Sequence, residues 1–97
     1  MAEKEKNRLY RHLTDAVGIP EELAGGLPIL HMTGQEELFI ENYRGIIEYT
    51  DVCLLLRTKE KLLRIEGEHL YLSYYTREEL KVTGEIRSVC FLKAGER

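Results

Sequence analysis

The chain has 97 residues, of which 43% are hydrophobic, 32% charged and 8% aromatic. A chain of this length forms one domain around one modest core. The formal net charge is -3, from 14 basic and 17 acidic residues. This balance argues against a dedicated nucleic-acid binder and against a polybasic membrane-surface protein, because both classes carry an excess of Lys and Arg.

The chain opens with apolar residues at helical spacing. Leu9, Leu13 and Val17 lie four positions apart, which predicts an amphipathic helix over residues 3–17. The charged first residues have no apolar stretch behind them, so we expect no signal peptide. The longest apolar run is a few residues, whereas a spanning helix needs about 20. We therefore expect a cytosolic protein without direct membrane insertion.

The period of the apolar residues changes to two after Pro28. Leu38 and Ile40 alternate with Glu37 and Glu41, a pattern typical of half-buried antiparallel strands. Similar alternation predicts strands near residues 29–33, 36–42, 45–50, 52–58, 61–66, 69–75, 79–83 and 85–92.

These elements predict a mainly β fold. We expect a small antiparallel β sandwich or rolled sheet of about seven or eight short strands with an N-terminal α-helix packed on it. Residues 1–26 then form the amphipathic helix and linker, and residues 27–97 the β domain of the same folding unit. The expected core comprises Leu9, Leu13, Leu38, Ile40, Ile47, Tyr49, Leu54, Leu56, Leu63, Ile65, Leu70, Leu72, Val82, Ile86, Val89 and Phe91.

Glycines and polar residues mark the expected turns. The segment 42–45 lies between two alternating runs, and Gly45 could take a positive φ to close a hairpin. Gly34, Gly67 and Gly84 each follow an apolar-polar pair. Their spacing is compatible with a recurring unit of about 17 residues with Asp51 in the vacant position, although ordinary hairpin spacing produces the same interval.

The last predicted strand changes face partway along. Val89 and Phe91 are out of phase with Ile86. A β-bulge at Arg87–Ser88 would bring all three side chains to one side.

Residue types with chemical reactivity form no recognisable motif. His12, His31 and His69 lack the close spacing of zinc ligands, and the carboxylates fall at turns and on polar strand faces, where a solvated surface is the ordinary explanation. Cys53 and Cys90 lie in apolar alternating runs, so we expect reduced, half-buried thiols. We therefore expect no catalytic residues, no cofactor and no metal site.

Apolar side chains on both faces of several strands are more informative. Tyr71 and Tyr75 oppose Leu70 and Leu72, and Phe39 opposes its apolar neighbours. Either both faces are covered within the monomer, or one face is an interface, where Tyr is favoured.

A small barrel that binds single-stranded nucleic acid is a further alternative. It would use the aromatic residues together with nearby positive charges. Glutamates interleave with these basic residues along the sequence, so the local field should nearly cancel. The basic residues are Arg44, Arg57, Lys59, Lys61, Arg64 and Lys81.

The chain resembles the YabP/YqfC family of sporulation proteins over roughly residues 8–92, which is nearly its whole length. The most specific segment is Ile40-Glu41-Asn42-Tyr43-Arg44-Gly45. Further matching segments are Leu27-Pro28, Ile65-Glu66-Gly67-Glu68, residues 78–86 and Val89-Cys90-Phe91-Leu92. The N-terminal helix followed by Leu-Pro is more similar to the YqfC branch.

The resemblance implies a non-enzymatic protein of the mother-cell cytoplasm. It implies action through protein contacts in spore-envelope development, with a sporulation membrane protein or by self-association into a homo-oligomer. We expect no nucleic-acid partner. The alternative is a small-ligand module or an enzyme acting on envelope precursors. The candidate interaction residues are Phe39, Tyr43, Arg44, Tyr71 and Tyr75.

Overall fold

A computed structural model of the chain describes residues 25–93. The expected helix over residues 3–17, with Leu9, Leu13 and His12, lies outside the described residues. The described part forms six strands: β1 (Ile29–Thr33), β2 (Glu37–Glu41), β3 (Gly45–Tyr49), β4 (Cys53–Arg57), β5 (Lys61–Tyr75) and β6 (Glu79–Lys93). All neighbouring strands are antiparallel, in the order β1-β2-β6-β5-β4-β3. The prediction of a mainly antiparallel β fold is confirmed.

The expected count of seven or eight short strands is wrong for the described residues. Their six strands form one sheet, as in the expected rolled sheet, rather than the two sheets of the alternative sandwich. Four expected strands are joined in pairs as β5 and β6, each of 15 residues. Gly67 and Gly84 were expected to end strands but lie inside them. A Cβ on Gly67 would lie 2.0 Å from the carbonyl oxygen of Glu85. Glycine is therefore needed here because the two strands approach closely, and the chain continues through it.

β5 and β6 carry irregularities beside these glycines. β6 has one extra residue, Arg87, between the partners of Glu66 and Gly67, so the predicted bulge at Arg87–Ser88 is confirmed. On β5, the register shifts again around His69, which has a positive φ of 55°. Such bulges increase local twist and bend a strand.

The bend in β5 is sharp enough to bring distant strands into contact. Tyr49 pairs with Leu54, which pairs with Ile65. Seven residues of straight strand, about 23 Å, would separate Ile65 from Leu72. Yet the hydroxyl of Tyr49 lies 2.8 Å from the backbone nitrogen of Leu72 and accepts its hydrogen bond. The sheet therefore folds over on itself.

The bend divides the sheet into two halves that share β5 and β6. In the β3–β4 half, β4 pairs with β5 residues 62–66. In the β1–β2 half, β2 pairs with β6 residues 79–83. The turn of each hairpin contacts one of the bends. In the β3–β4 turn, the Asp51 carbonyl accepts a hydrogen bond from Leu70 N–H at 2.8 Å. In the β1–β2 turn, the Glu36 carbonyl accepts one from Gly84 N–H at 3.1 Å. The spacing of about 17 residues in the sequence thus has a structural basis. Gly34 and Asp51 lie in the two turns, and Gly67 and Gly84 lie at the two bends.

One core cluster receives side chains from both halves. Most of the expected core is confirmed, with Leu72 and Val89 packed partly buried against it. Ile47 is only half-buried, while Tyr49 and Phe91 are 43% and 49% exposed, so these expectations were wrong. Tyr49 lies on the edge strand β3, and Phe91 lies on the part of β6 that does not pair with β2. The buried cluster is Leu38, Ile40, Tyr43, Leu54, Leu56, Leu63, Ile65, Leu70, Leu80, Val82 and Ile86.

Candidate interaction surface

Three exposed tyrosines lie on the last five residues of β5. Tyr71, Tyr74 and Tyr75 are 64%, 45% and 65% exposed, and we call them the tyrosine edge. Within the described residues, this stretch of β5 pairs with β6 alone, because β4 pairs only with residues 62–66. The tyrosines therefore stand along an open side of the sheet.

A bulge distributes these tyrosines over both faces. Tyr71 and Tyr74 lie opposite Thr83 and Lys81 on β6, whereas Tyr75 lies opposite the core residue Leu80. Ser73 is the extra residue that shifts the register. The expectation that Tyr71 and Tyr75 share one face is therefore wrong, because strict alternation stops at the bulge.

Tyr43 is buried, with only 6% of its surface exposed. Its hydroxyl donates a hydrogen bond to the backbone carbonyl of Thr76, in the turn that follows Tyr75. Burial raises the pKa of Tyr43, and the nearby Tyr75 raises it further. The expectation of an exposed Tyr43 at a hairpin tip is wrong. Tyr43 instead holds the end of the tyrosine edge in place.

The segment around Tyr43 is also not a hairpin. β2 pairs with β1 and β6, and β3 pairs with β4, so residues 42–44 connect one half of the sheet to the other. Asn42, rather than Gly45, adopts the positive φ, at 68°. Its backbone N–H donates to the Glu78 carbonyl at 2.7 Å, and its side chain donates to the Leu27 carbonyl at 3.0 Å.

Phe39 belongs to the same outer face as Tyr74. It pairs with Lys81 on β6, which in turn pairs with Tyr74. The ring of Phe39 is half-buried and stacks on His31, with centroids 6.2 Å apart and planes at 29°. Lys81 also forms an ion pair with Glu37 at 3.4 Å. Phe39 is therefore a partly covered, packed residue of this face rather than a fully exposed one.

Arg44 is exposed but lies away from this row. Its backbone N–H donates to the Arg57 carbonyl at 2.7 Å. A Cβ on Gly26 would lie 3.6 Å from its Nη2 atom. The five candidate residues therefore do not form one site: Tyr71 and Tyr75 are exposed on opposite faces of the same end of β5, while Arg44 belongs to a different surface.

The two cysteines are free. Cys90 is exposed, which corrects the expectation that it is half-buried, and Cys53 is partly covered. Burial raises the pKa of the Cys53 thiol, and the carboxylate of Glu48 adds to that shift. Within residues 25–93, no three His, Cys, Asp or Glu side chains come together as metal ligands.

An open cavity of about 360 Å³ lies at the end of the β3–β4 half. Its walls are largely apolar, and it is wide open to solvent. It is lined by Leu27, Pro28, Thr58, Glu60, Lys61 and Phe91. Residues 25–93 contain no helical segment with the length and hydropathy of a membrane span.

Comparison with known proteins places most of the chain in one family. Residues 28–97 match the sequence model of the YabP family. The chain is similar to the protein YqfC of Bacillus subtilis strain 168, which is described as uncharacterized. The two are 29% identical over 89 residues, covering 92% of this chain and 96% of YqfC. No solved structure matches the chain significantly.

Proposed function

The chain belongs to the YabP family, and on that premise we propose that it acts in spore-envelope development through protein contacts, without catalysis. The observation that carries the proposal is the tyrosine edge, with Tyr71 and Tyr75 each about two-thirds exposed. Tyr is enriched in interfaces because its ring adds contact area and its hydroxyl adds a hydrogen bond.

The cellular setting follows from the sporulation role that the sequence resemblance implies. We propose that the protein works in the mother-cell cytoplasm. Its partner is a sporulation membrane protein, or a second copy of this chain. Binding to the membrane protein would place the chain at the membrane.

A double substitution tests this proposal. Tyr71→Glu with Tyr75→Glu adds two charges to the tyrosine edge. Because both rings are exposed, we expect a folded protein that no longer self-associates or binds its partner. A matched control is Met32→Glu with Val52→Glu, which adds the same charge at residues that are 43% and 51% exposed elsewhere.

Three measurements decide the outcome. Circular dichroism reports folding, light scattering reports self-association, and pull-down from sporulating cells followed by reconstitution with the purified candidate reports partner binding. Loss of association in the tyrosine variant alone supports the proposal. Unfolding of that variant would assign the tyrosines to the core, and full retention of association would remove them from any interface.

A further inference from the structure

Strand pairing gathers basic residues at one end of the β3–β4 half. Arg57 ends β4, Lys59 follows in the turn, and Lys61 begins β5. Arg44 joins them through its backbone hydrogen bond to Arg57, and Lys93 lies opposite Lys61 on β6. We call these five residues the basic end.

The two glycines that precede β1, Gly25 and Gly26, lie beside two residues of the basic end. The Lys59 ammonium donates to the Gly25 carbonyl. A Cβ on Gly26 would lie 3.6 Å from Arg44 Nη2 and 3.8 Å from Lys59 Cδ, so these two side chains flank the same turn. All five basic residues are exposed. The turn between β4 and β5 holds one acidic residue, Glu60, beside the positive charges of Arg44, Arg57, Lys59 and Lys61.

Acidic residues collect at the opposite end of the same strands. Asp51, Glu66, Glu68 and Glu85 lie at the β3–β4 turn and at the bend. A five-residue strand separates the two ends by about 17 Å. Of the acidic residues that interleave with these basic residues along the sequence, Glu66 is therefore separated from the basic end, whereas Glu60 lies within it. A protein with a net charge of -3 thus carries a strongly positive end.

Exposed apolar side chains lie beside the positive charges. Leu27 and Phe91 are 42% and 49% exposed, and together with Lys61 they line the open cavity. Clustered Lys and Arg are attracted to anionic lipid headgroups, while neighbouring apolar side chains enter the interface below them. A nucleic acid would satisfy the charges but would give the aliphatic Leu27 no apolar surroundings.

We propose that the basic end docks on the surface of a lipid bilayer that carries anionic phospholipids. In this arrangement the basic end contacts the lipid headgroups. Leu27 and Phe91 lie at the boundary between the headgroups and the acyl chains. This contact is separate from the tyrosine edge and leaves that edge available to a protein partner. It orients the molecule on the membrane without any spanning segment.

Vesicle cosedimentation of the full chain tests the proposal. We expect binding to vesicles of phosphatidylcholine mixed with phosphatidylglycerol, and little binding to phosphatidylcholine alone. Salt should release the protein, because the screening length falls from about 10 Å at 0.1 M to about 3 Å at 1 M. Leu27→Ser should weaken binding without changing its salt dependence.

A pair of charge-matched variants localises the contact. Arg57→Gln with Lys61→Gln should weaken vesicle affinity roughly ten- to thirtyfold, given the contribution of each basic residue near an anionic surface. Arg77→Gln with Arg87→Gln removes the same charge from exposed residues outside the basic end and should leave affinity unchanged. If substitution of Arg57 unfolds the chain, Lys59→Gln with Lys61→Gln repeats the test at two exposed residues of the basic end.

Three results would overturn the proposal. The first is that the wild-type chain fails to bind anionic vesicles at low salt. The second is that both variant pairs lose affinity equally, which would reflect net charge alone. The third is that a short DNA oligonucleotide binds the basic end more tightly than the vesicles do, which would identify a nucleic-acid surface.

Discussion

The hydroxyl of Tyr43 donates a hydrogen bond to the backbone carbonyl of Thr76 and so ties the β2–β3 connection to the β5–β6 turn. These residues are 33 positions apart in the chain. Thr76 directly follows Tyr75, so this bond fixes the end of the tyrosine edge. A buried residue therefore determines how an exposed surface is presented.

Tyr43→Phe should destabilise the fold by about 1 kcal/mol at neutral pH, because the Thr76 carbonyl loses its donor. The pH dependence should change as well. The folded-state pKa of Tyr43 is raised above its ordinary value of 10.0, so its contribution is complete below 10.0 and is lost as the pH rises through the folded value. The wild-type chain should therefore lose stability in alkali more steeply than Tyr43→Phe does.

Urea unfolding from about pH 7 to about pH 11 measures both effects. Tyr71→Phe is the control, because it removes the hydroxyl of an exposed tyrosine. It should follow the wild-type pH profile. Equal profiles for the wild-type chain and Tyr43→Phe would show that Tyr43 does not retain its proton in the folded state.

Tyr49→Phe should loosen the closure of the folded sheet. It removes the acceptor of the Leu72 backbone N–H, at a cost of about 1 kcal/mol. Hydrogen exchange followed by NMR should show faster exchange at the Leu72 amide, with little change at strand amides of β2. If the Leu72 amide keeps its protection, the bend does not depend on this contact.

Gly67→Ala should cost at least about 2 kcal/mol. Its new Cβ would meet the Glu85 carbonyl oxygen at 2.0 Å and Ile86 Cα at 3.1 Å, and backbone atoms cannot move aside as a flexible side chain can. Gly34→Ala provides the comparison, since nothing lies within 4 Å of its Cβ.

The cost at Gly34 should come from its positive φ of 52° alone, about 1–2 kcal/mol. Gly34→Asn should recover part of it, since Asn tolerates this conformation. Thermal unfolding of the three variants distinguishes the two causes. A Gly67→Ala variant as stable as the wild-type chain would contradict the close approach of β5 and β6.

Strands such as β2 could be predicted from the sequence because one face is more deeply buried than the other. Leu38 and Ile40 against Glu37 and Glu41 show this directly. The extent of β5 and β6 could not be predicted, because a glycine such as Gly67 looks the same at a strand end and at a point of close approach.

Features set by tertiary contact were also missed. Nothing in the residues around Tyr43 distinguishes a buried crossover from an exposed hairpin tip, because the difference depends on Thr76 far along the chain. The bulge at Ser73, which separates Tyr71 from Tyr75, likewise has no sequence signal of its own. The basic end was hidden because register, rather than sequence order, brings Arg44 and Lys93 to the residues around Lys59.

β5 and β6 run through the bend, so each half of the sheet depends on strands that also complete the other half. A fragment that stopped at Gly67 or at Gly84 would leave its hairpin without the strands against which it packs. Neither half can then act as an autonomous module. Unfolding should proceed as one cooperative transition.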